Sequence, residues 1–131
     1  MTHRLPRALL LVLLGYLGVL AVNRSLVEVR GGSMEPTLWP GDRLLTVPAP
    51  RWAVTPGRLV VVEDPAEAGH LVVKRVHAVD GDTVEVRGDA TERSTDSRAW
   101  GALPSSAVRR LVLARWPDLR TPLHRPPART G

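Results

Sequence analysis

The chain of 131 residues has no cysteine, no phenylalanine and only one lysine. The absence of cysteine excludes disulfides, iron–sulfur sites, cysteine-ligated zinc and cysteine nucleophiles, so covalent chemistry falls to serine, threonine or lysine. The length allows one modest domain, which excludes a large multidomain enzyme.

Positive charge is scarce in the middle of the chain, although the whole chain carries a net charge of +5. Residues 28–108 hold 9 cationic and 12 anionic side chains, whereas the basic excess lies at the two ends. A folded body over these residues offers no continuous basic face for phosphates, so we expect no nucleic acid partner.

The single lysine, Lys74, stands in a chain whose other 17 basic residues are arginines. Arginine stays protonated in proteins, whereas a desolvated lysine can lose its proton and act as a base. A site that needs a neutral amine therefore cannot accept arginine. Composition alone leaves chance retention of one lysine as an equal explanation.

The N-terminal segment Leu5 to Val22 is almost entirely apolar. As a helix it would be about 27 Å long, just enough to cross a bilayer, and we predict a membrane anchor over residues 1–23. Arg4 and Arg7 precede the segment, which favours a cytoplasmic N-terminus and a body outside the cell membrane. A cleavable signal peptide ending near Ala21 is the alternative.

Beyond the anchor, short runs rich in valine and leucine alternate with proline and glycine, a pattern typical of strands. The predicted strands are Leu26 to Val29, Arg43 to Val47, Leu59 to Val62, Leu71 to Val79, Thr83 to Val86 and Val108 to Ala114. Asp80-Gly81 predicts a two-residue hairpin turn. We therefore predict a mainly β fold, a small antiparallel sheet over residues 24–116, followed by a basic, proline-rich disordered tail over 117–131.

The sequence holds one candidate catalytic pair, Ser33 and Lys74. No Gly-x-Ser-x-Gly elbow is present, and His70 and His77 form no His-Glu-x-x-His motif, so we expect neither a metal nor another cofactor. Ser33 follows two glycines that leave room for a substrate carbonyl. Period-two alternation places Val72 and Val76 beside Lys74, and this apolar setting should lower the pKa of the amine.

Three segments then resemble the conserved boxes of one family. Residues 31–38 read GGSMEPTL and are similar to its serine box, residues 73–76 read VKRV and are similar to its lysine box, and residues 88–101 read GDATERSTDSRAWG and are similar to its last box. The family is that of the type I signal peptidases, or leader peptidases, which are membrane-anchored endopeptidases with a Ser/Lys dyad. The three boxes occur in the family's order within one short chain, which makes the resemblance specific.

The resemblance implies a role for each matching residue. Ser33 would be the nucleophile, Lys74 the general base and Ser94 the hydroxyl that orients the lysine amine. Asp96 and Arg98 would form a structural ion pair.

Substrate binding is also implied by the resemblance. The substrate would lie as an added strand in a groove between the segments before Ser33 and before Lys74, lined by Val29, Val72 and Val73. Many members carry a serine where this chain has Gly31, so the Ser33 N–H, beside Gly31 and Gly32, becomes the main candidate donor of the oxyanion hole. The implied partners are an exported preprotein or pro-peptide and the lipid bilayer.

Three other functions remain open at this stage. The compact chain also resembles actinobacterial proteases that mature nickel superoxide dismutase precursors, so a single dedicated substrate is possible. A self-cleaving SOS repressor would use a similar dyad, but the apolar N-terminal segment argues against it. An inactive, membrane-tethered peptide-binding module would keep the groove, but it has no need for the lone lysine.

Overall fold

A computed structural model describes residues 4–120 and 122–123. Its longest helix, α1 (Arg7–Ser25), leaves its large apolar side chains exposed on every side. Within the described ranges, no helix reaches the combination of length and hydropathy that a membrane crossing needs. The part of the predicted tail at 121 and 124–131 lies outside the described residues.

The body is a seven-stranded antiparallel sheet, which confirms the mainly β prediction. The strands lie in the order β1-β2-β7-β3-β4-β5-β6. They are β1 (Leu26–Glu28), β2 (Arg43–Pro48), β3 (Leu59–Glu63), β4 (Leu71–Asp80), β5 (Thr83–Arg87), β6 (Leu103–Pro104) and β7 (Val108–Trp116). The other helical elements are α2 (Ser97–Trp100) and 3-10 turns at Arg51–Ala53, Thr91–Arg93 and Ser105–Ala107.

All six predicted strands are present, with ends that differ by one or two residues. The hairpin turn is displaced by one residue: Asp80 pairs with Thr83, so the loop is Gly81-Asp82, and Gly81 takes the positive φ of 55°. The seventh strand, β6, has two residues and was not predicted, because a leucine followed by a proline carries no period-two pattern.

Hydrophobic side chains pack on both faces of the sheet. One cluster contains Val61 and Val73, and the other contains Val60, Val62 and Val76. β3 contributes to both, which explains its unbroken apolar run. Since Val72 and Val76 both pack against the second cluster, the predicted apolar neighbours of Lys74 are in place.

Candidate functional site

Ser33 lies in the tight turn that follows β1. Gly31 adopts a positive φ of 71°, a conformation that favours glycine, and the Glu35 N–H closes the turn by donating to the Gly32 carbonyl at 3.2 Å. Met34, next in the chain, is 1% exposed and packs into the first hydrophobic cluster. The buried methionine fixes the turn to the body and leaves the Ser33 side chain beside a groove.

Lys74 lies in the middle of β4, where its side chain is almost completely buried. It is 3% exposed and its cross-strand partner in β3 is Val60. Burial lowers the pKa of the Lys74 amine, against the opposing effect of the Asp96 and Asp64 carboxylates. The Lys74 Nζ donates to Ser94 Oγ at 3.0 Å, and this hydrogen bond fixes the orientation of the amine.

Ser94 connects the amine to a buried carboxylate. Its hydroxyl donates to Asp96 Oδ2 at 2.7 Å and accepts from Lys74 and from the Gly88 N–H at 3.1 Å. An ionised carboxylate only accepts hydrogen bonds, so the Ser94 proton is committed to Asp96 and the Ser94 oxygen presents lone pairs to Lys74. One N–H of a neutral amine can then point at Ser94 while its own lone pair remains available.

The ion pair between Asp96 and Arg98 that the resemblance implied is formed. Arg98 donates to Asp96 through Nε at 2.9 Å and through Nη2 at 2.6 Å. Burial raises the pKa of Asp96, but hydrogen bonds from Arg98, from the Ser94 hydroxyl and from the Gly88 N–H outweigh it and hold the pKa well below its usual range. Asp96 therefore stays ionised and keeps Ser94 oriented.

Gly88 brings the serine turn against Ser94. A Cβ built at Gly88 would lie 2.2 Å from Ser94 Oγ and 2.6 Å from the Ser33 carbonyl oxygen. That carbonyl accepts from the Ala90 N–H at 2.8 Å, which ties the turn to the loop after β5. Sequence reasoning placed Gly88 inside a motif but gave it no role; the close approach of two backbone segments is the reason for glycine here.

A second network, missed from the sequence, lies on the other face of β4. Arg75 donates to both carboxylate oxygens of Asp89, through Nε at 2.9 Å and Nη2 at 2.8 Å. Asp89 in turn accepts from the Thr37 hydroxyl at 2.5 Å. Thr37 belongs to the loop after Ser33, so this network connects the serine loop to the lysine strand. The sequence contained one indication of this network. Lys74 and Arg75 are adjacent in a predicted strand, and adjacent side chains in a strand face opposite sides, so Arg75 had to lie on the face away from Lys74.

A narrow cavity of about 50 Å³ lies beside Ser33. It is lined by Val27, Glu28, Val29, Arg30, Ser33, Met34, His70, Leu71, Val72 and Val73, so it includes the three valines that sequence reasoning selected. Gly31 is exposed, and Gly32 lies against the side chains of Glu35 and Arg93.

Comparison with known proteins identifies the family. The sequence model described as "Signal peptidase, peptidase S26" matches residues 2–90. The chain belongs to this signal peptidase family. Among curated proteins, mitochondrial inner membrane protease subunit 1 of Xenopus tropicalis is 30% identical in an alignment of 116 positions, and the match covers 71% of this chain and 70% of that protein. The human protein of the same name is 27% identical over the same shares.

Membership of the signal peptidase family is consistent with the arrangement around Ser33. The family match spans the serine turn, β4 with Lys74, and Gly88-Asp89, and it ends before Ser94. The segment beyond residue 90 supplies Ser94, Asp96 and Arg98, which the structure joins to Lys74 through hydrogen bonds. Membership of the signal peptidase family implies a precursor protein as substrate.

Proposed function

We propose that this chain is a membrane-anchored serine endopeptidase that removes signal or pro-peptides from exported proteins, with Ser33 as nucleophile and Lys74 as general base. The observation that carries the proposal is the buried Lys74 amine, whose hydrogen bond to Ser94 is fixed by Asp96. A structural lysine would expose its ammonium group, whereas a base needs the desolvation seen here.

The chemistry proceeds through an acyl-enzyme. Neutral Lys74 takes the Ser33 hydroxyl proton as Oγ attacks the scissile carbonyl carbon, and the Ser33 N–H stabilises the resulting oxyanion. The Lys74 ammonium then gives its proton to the leaving amine, and the peptide C–N bond breaks. In the second half, Lys74 takes a proton from water as the water oxygen attacks the ester carbonyl carbon. The Lys74 ammonium then returns that proton to Ser33 Oγ as the ester C–O bond breaks, which restores the free Ser33 hydroxyl and the neutral amine.

Two open backbone edges support an extended substrate. Among the residues that the structure describes, β1 pairs only with β2. The first half of β4, from Leu71 to Lys74, pairs there only with β3, because β5 begins its pairing at Arg75. The groove lies between these segments. A substrate strand would add to these edges by main-chain hydrogen bonds, and the valines that line the groove leave room only for small side chains before the cut.

Replacing Ser33 by alanine tests the nucleophile. We expect cleavage of a peptide with alanine at the first and third positions before the cut to fall by about 10³-fold or more, because no other group can form the ester. The free energy of unfolding should be unchanged, because the hydrogen bonds that hold the described turn join backbone groups and do not involve the Ser33 hydroxyl. Product formation is measured by mass spectrometry.

Ser106→Ala is the matched control, because Ser106 is an exposed serine in the 3-10 turn Ser105–Ala107, which lines no part of the groove. It should cleave at the wild-type rate. Wild-type cleavage by Ser33→Ala would refute the assignment of the nucleophile. Binding of the peptide without cleavage by the unmodified chain would show an inactive binding module instead.

We also propose that α1 holds the body of residues 24–116 at a membrane, with the N-terminus on the cytoplasmic side. Exposed apolar side chains cover the helix, so it presents an apolar surface to its surroundings. Arg4 and Arg7 at its start favour the cytoplasmic side. β1 begins directly after the helix, which supports a groove close to the lipid surface.

Leu14→Arg tests the membrane anchor. Leu14 is 56% exposed near the middle of α1, and a charge there costs about 3 kcal/mol in a bilayer, or about a hundredfold in partition. We expect the variant chain to move from the membrane pellet to the supernatant after alkaline carbonate extraction. Leu119→Arg is the control, because Leu119 is similarly exposed at 53% but lies outside the helix. Equal retention of both variants in the pellet would contradict the proposal.

A further inference from the structure

We propose that the sheet carries a second binding site, for a phosphate-type oxyanion, centred on Arg87. The site is a cavity of about 210 Å³ beside the β4–β5 pair, and its polar lining residues are Arg75, Arg87, Arg98, His77, Thr91 and the acidic Asp89. It shares no lining residue with the groove beside Ser33, so it is separate from the proposed peptide site.

Like charges face each other at this place in the sheet. Arg75 of β4 and Arg87 of β5 are direct cross-strand partners. Such pairs of like charge destabilise an antiparallel sheet unless a counter-charge lies near them. Asp89 supplies one for Arg75, through two hydrogen bonds. Because Asp89 is hydrogen-bonded to Arg75, the charge of the Arg87 guanidinium needs a different counter-charge.

Arg87 is the group left without a counter-charge. Within residues 4–120 and 122–123, its Nε is buried without a hydrogen-bond partner, and no ion pair of its side chain is found. The Nε of Arg115 also lacks a hydrogen-bond partner among the described residues. Arg115 is balanced in another way, because its Nη2 donates to the Thr37 carbonyl and its Nη1 lies 3.5 Å from the Asp42 carboxylate. Buried polar groups in native proteins are paired with protein, water or an ion. An anion between the arginines would satisfy Arg87.

The donor set selects the chemistry of that anion. Three guanidinium groups line the cavity, whereas Asp89 and Asp96 provide two carboxylates to Arg75 and Arg98, so one positive charge remains. Guanidinium groups present planar forks that match the oxygens of a phosphate. Thr91 and His77 also line the cavity, and with the guanidinium groups they provide more polar groups than the two oxygens of a carboxylate can use, which favours the four oxygens of a tetrahedral oxyanion.

Binding of inorganic phosphate to the full chain in a neutral detergent tests the site. We expect isothermal titration to show saturable binding of phosphate at constant ionic strength, and Arg87→Gln to weaken it about tenfold or more, because a charge-assisted hydrogen bond is lost. Arg87→Lys should retain part of the affinity. Arg120→Gln removes the same charge from an exposed position outside the cavity and should bind as the unmodified chain does.

A second variant keeps the test decisive if Arg87→Gln does not fold. Thr91 is exposed, so Thr91→Glu should fold normally, and its carboxylate should occupy the cavity and abolish phosphate binding. Absence of saturable binding to the unmodified chain, or equal affinity in Arg87→Gln, Thr91→Glu and Arg120→Gln, would overturn the proposal.

The same experiment in vesicles separates the two sources of phosphate. If a lipid headgroup is the natural ligand, vesicles of phosphatidylcholine with phosphatidic acid should block binding of inorganic phosphate, whereas phosphatidylcholine alone should not. If free phosphate is the ligand, both vesicles should permit binding. Either result supports the site, and loss of binding in both vesicle types, with binding present in detergent, would contradict it.

Discussion

Lys74→Met should abolish peptide cleavage and leave the protein at least as stable as the unmodified chain. Removal of a general base costs about 10² to 10⁴-fold in rate. Lys74 is 3% exposed, and methionine fills a similar volume without a buried charge, so the midpoint of thermal unfolding should stay the same or rise. The rate is measured on the alanine-containing peptide, and unfolding by circular dichroism.

The pH profile separates a catalytic amine from a structural one. Lys74 accepts the Ser33 proton only when neutral, and burial lowers its pKa below 10.5, so the wild-type rate should rise with pH through that lowered pKa. Folding also disfavours the protonated amine of Lys74. The free energy of unfolding of the unmodified chain, relative to Lys74→Met, should therefore rise with pH between the lowered pKa of Lys74 in the folded chain and its pKa in the unfolded chain. A flat rate profile, or an active Lys74→Arg variant, would contradict the assignment.

The environment of Lys74 could be predicted because it depends on local periodicity. Period two along β4 placed Val72 and Val76 on the side of Lys74 and Arg75 on the other, and the structure has the same division. The strands followed from the same rule, with β3 recognisable as an unbroken apolar run. These features need only the residues of one strand and its turns.

The features that the sequence could not predict depend on pairing between distant segments. β2 lies beside β7 although more than 60 residues separate Arg43 from Val108, and no local pattern specifies that order. The link from Thr37 to Asp89 spans 52 positions in the chain. The resemblance to signal peptidases supplied Ser94 and Asp96 as a motif, but the direction of each hydrogen bond required the folded geometry.

Gly88→Ala should reduce cleavage by about 10²-fold or more even though Gly88 touches no substrate in the proposed reaction. The new Cβ would lie 2.6 Å from the Ser33 carbonyl oxygen and 2.5 Å from Ser94 Cβ. Neither neighbour can rotate away. The Ser33 carbonyl belongs to the backbone, and the Ser94 hydroxyl is hydrogen-bonded to both Lys74 and Asp96. The serine turn must therefore move away from the lysine, and displacements of about 1 Å cost about a hundredfold in rate. Overpacking should also lower the free energy of unfolding by about 1–3 kcal/mol.

Gly69→Ala provides the control that separates displacement from instability. Gly69 has a φ of 80° and open space around it, so alanine there should be destabilising by about 1–2 kcal/mol through backbone strain alone. Gly69 lines no part of the groove and its N–H donates to Glu63 rather than to Ser94 or Asp96, so the variant should cleave at the wild-type rate under conditions where it is folded. If Gly88→Ala matched Gly69→Ala in both stability and rate, Gly88 would be a structural residue only. A rate loss confined to Gly88→Ala would mean that the contact between the serine turn and Ser94 sets the distance from nucleophile to base.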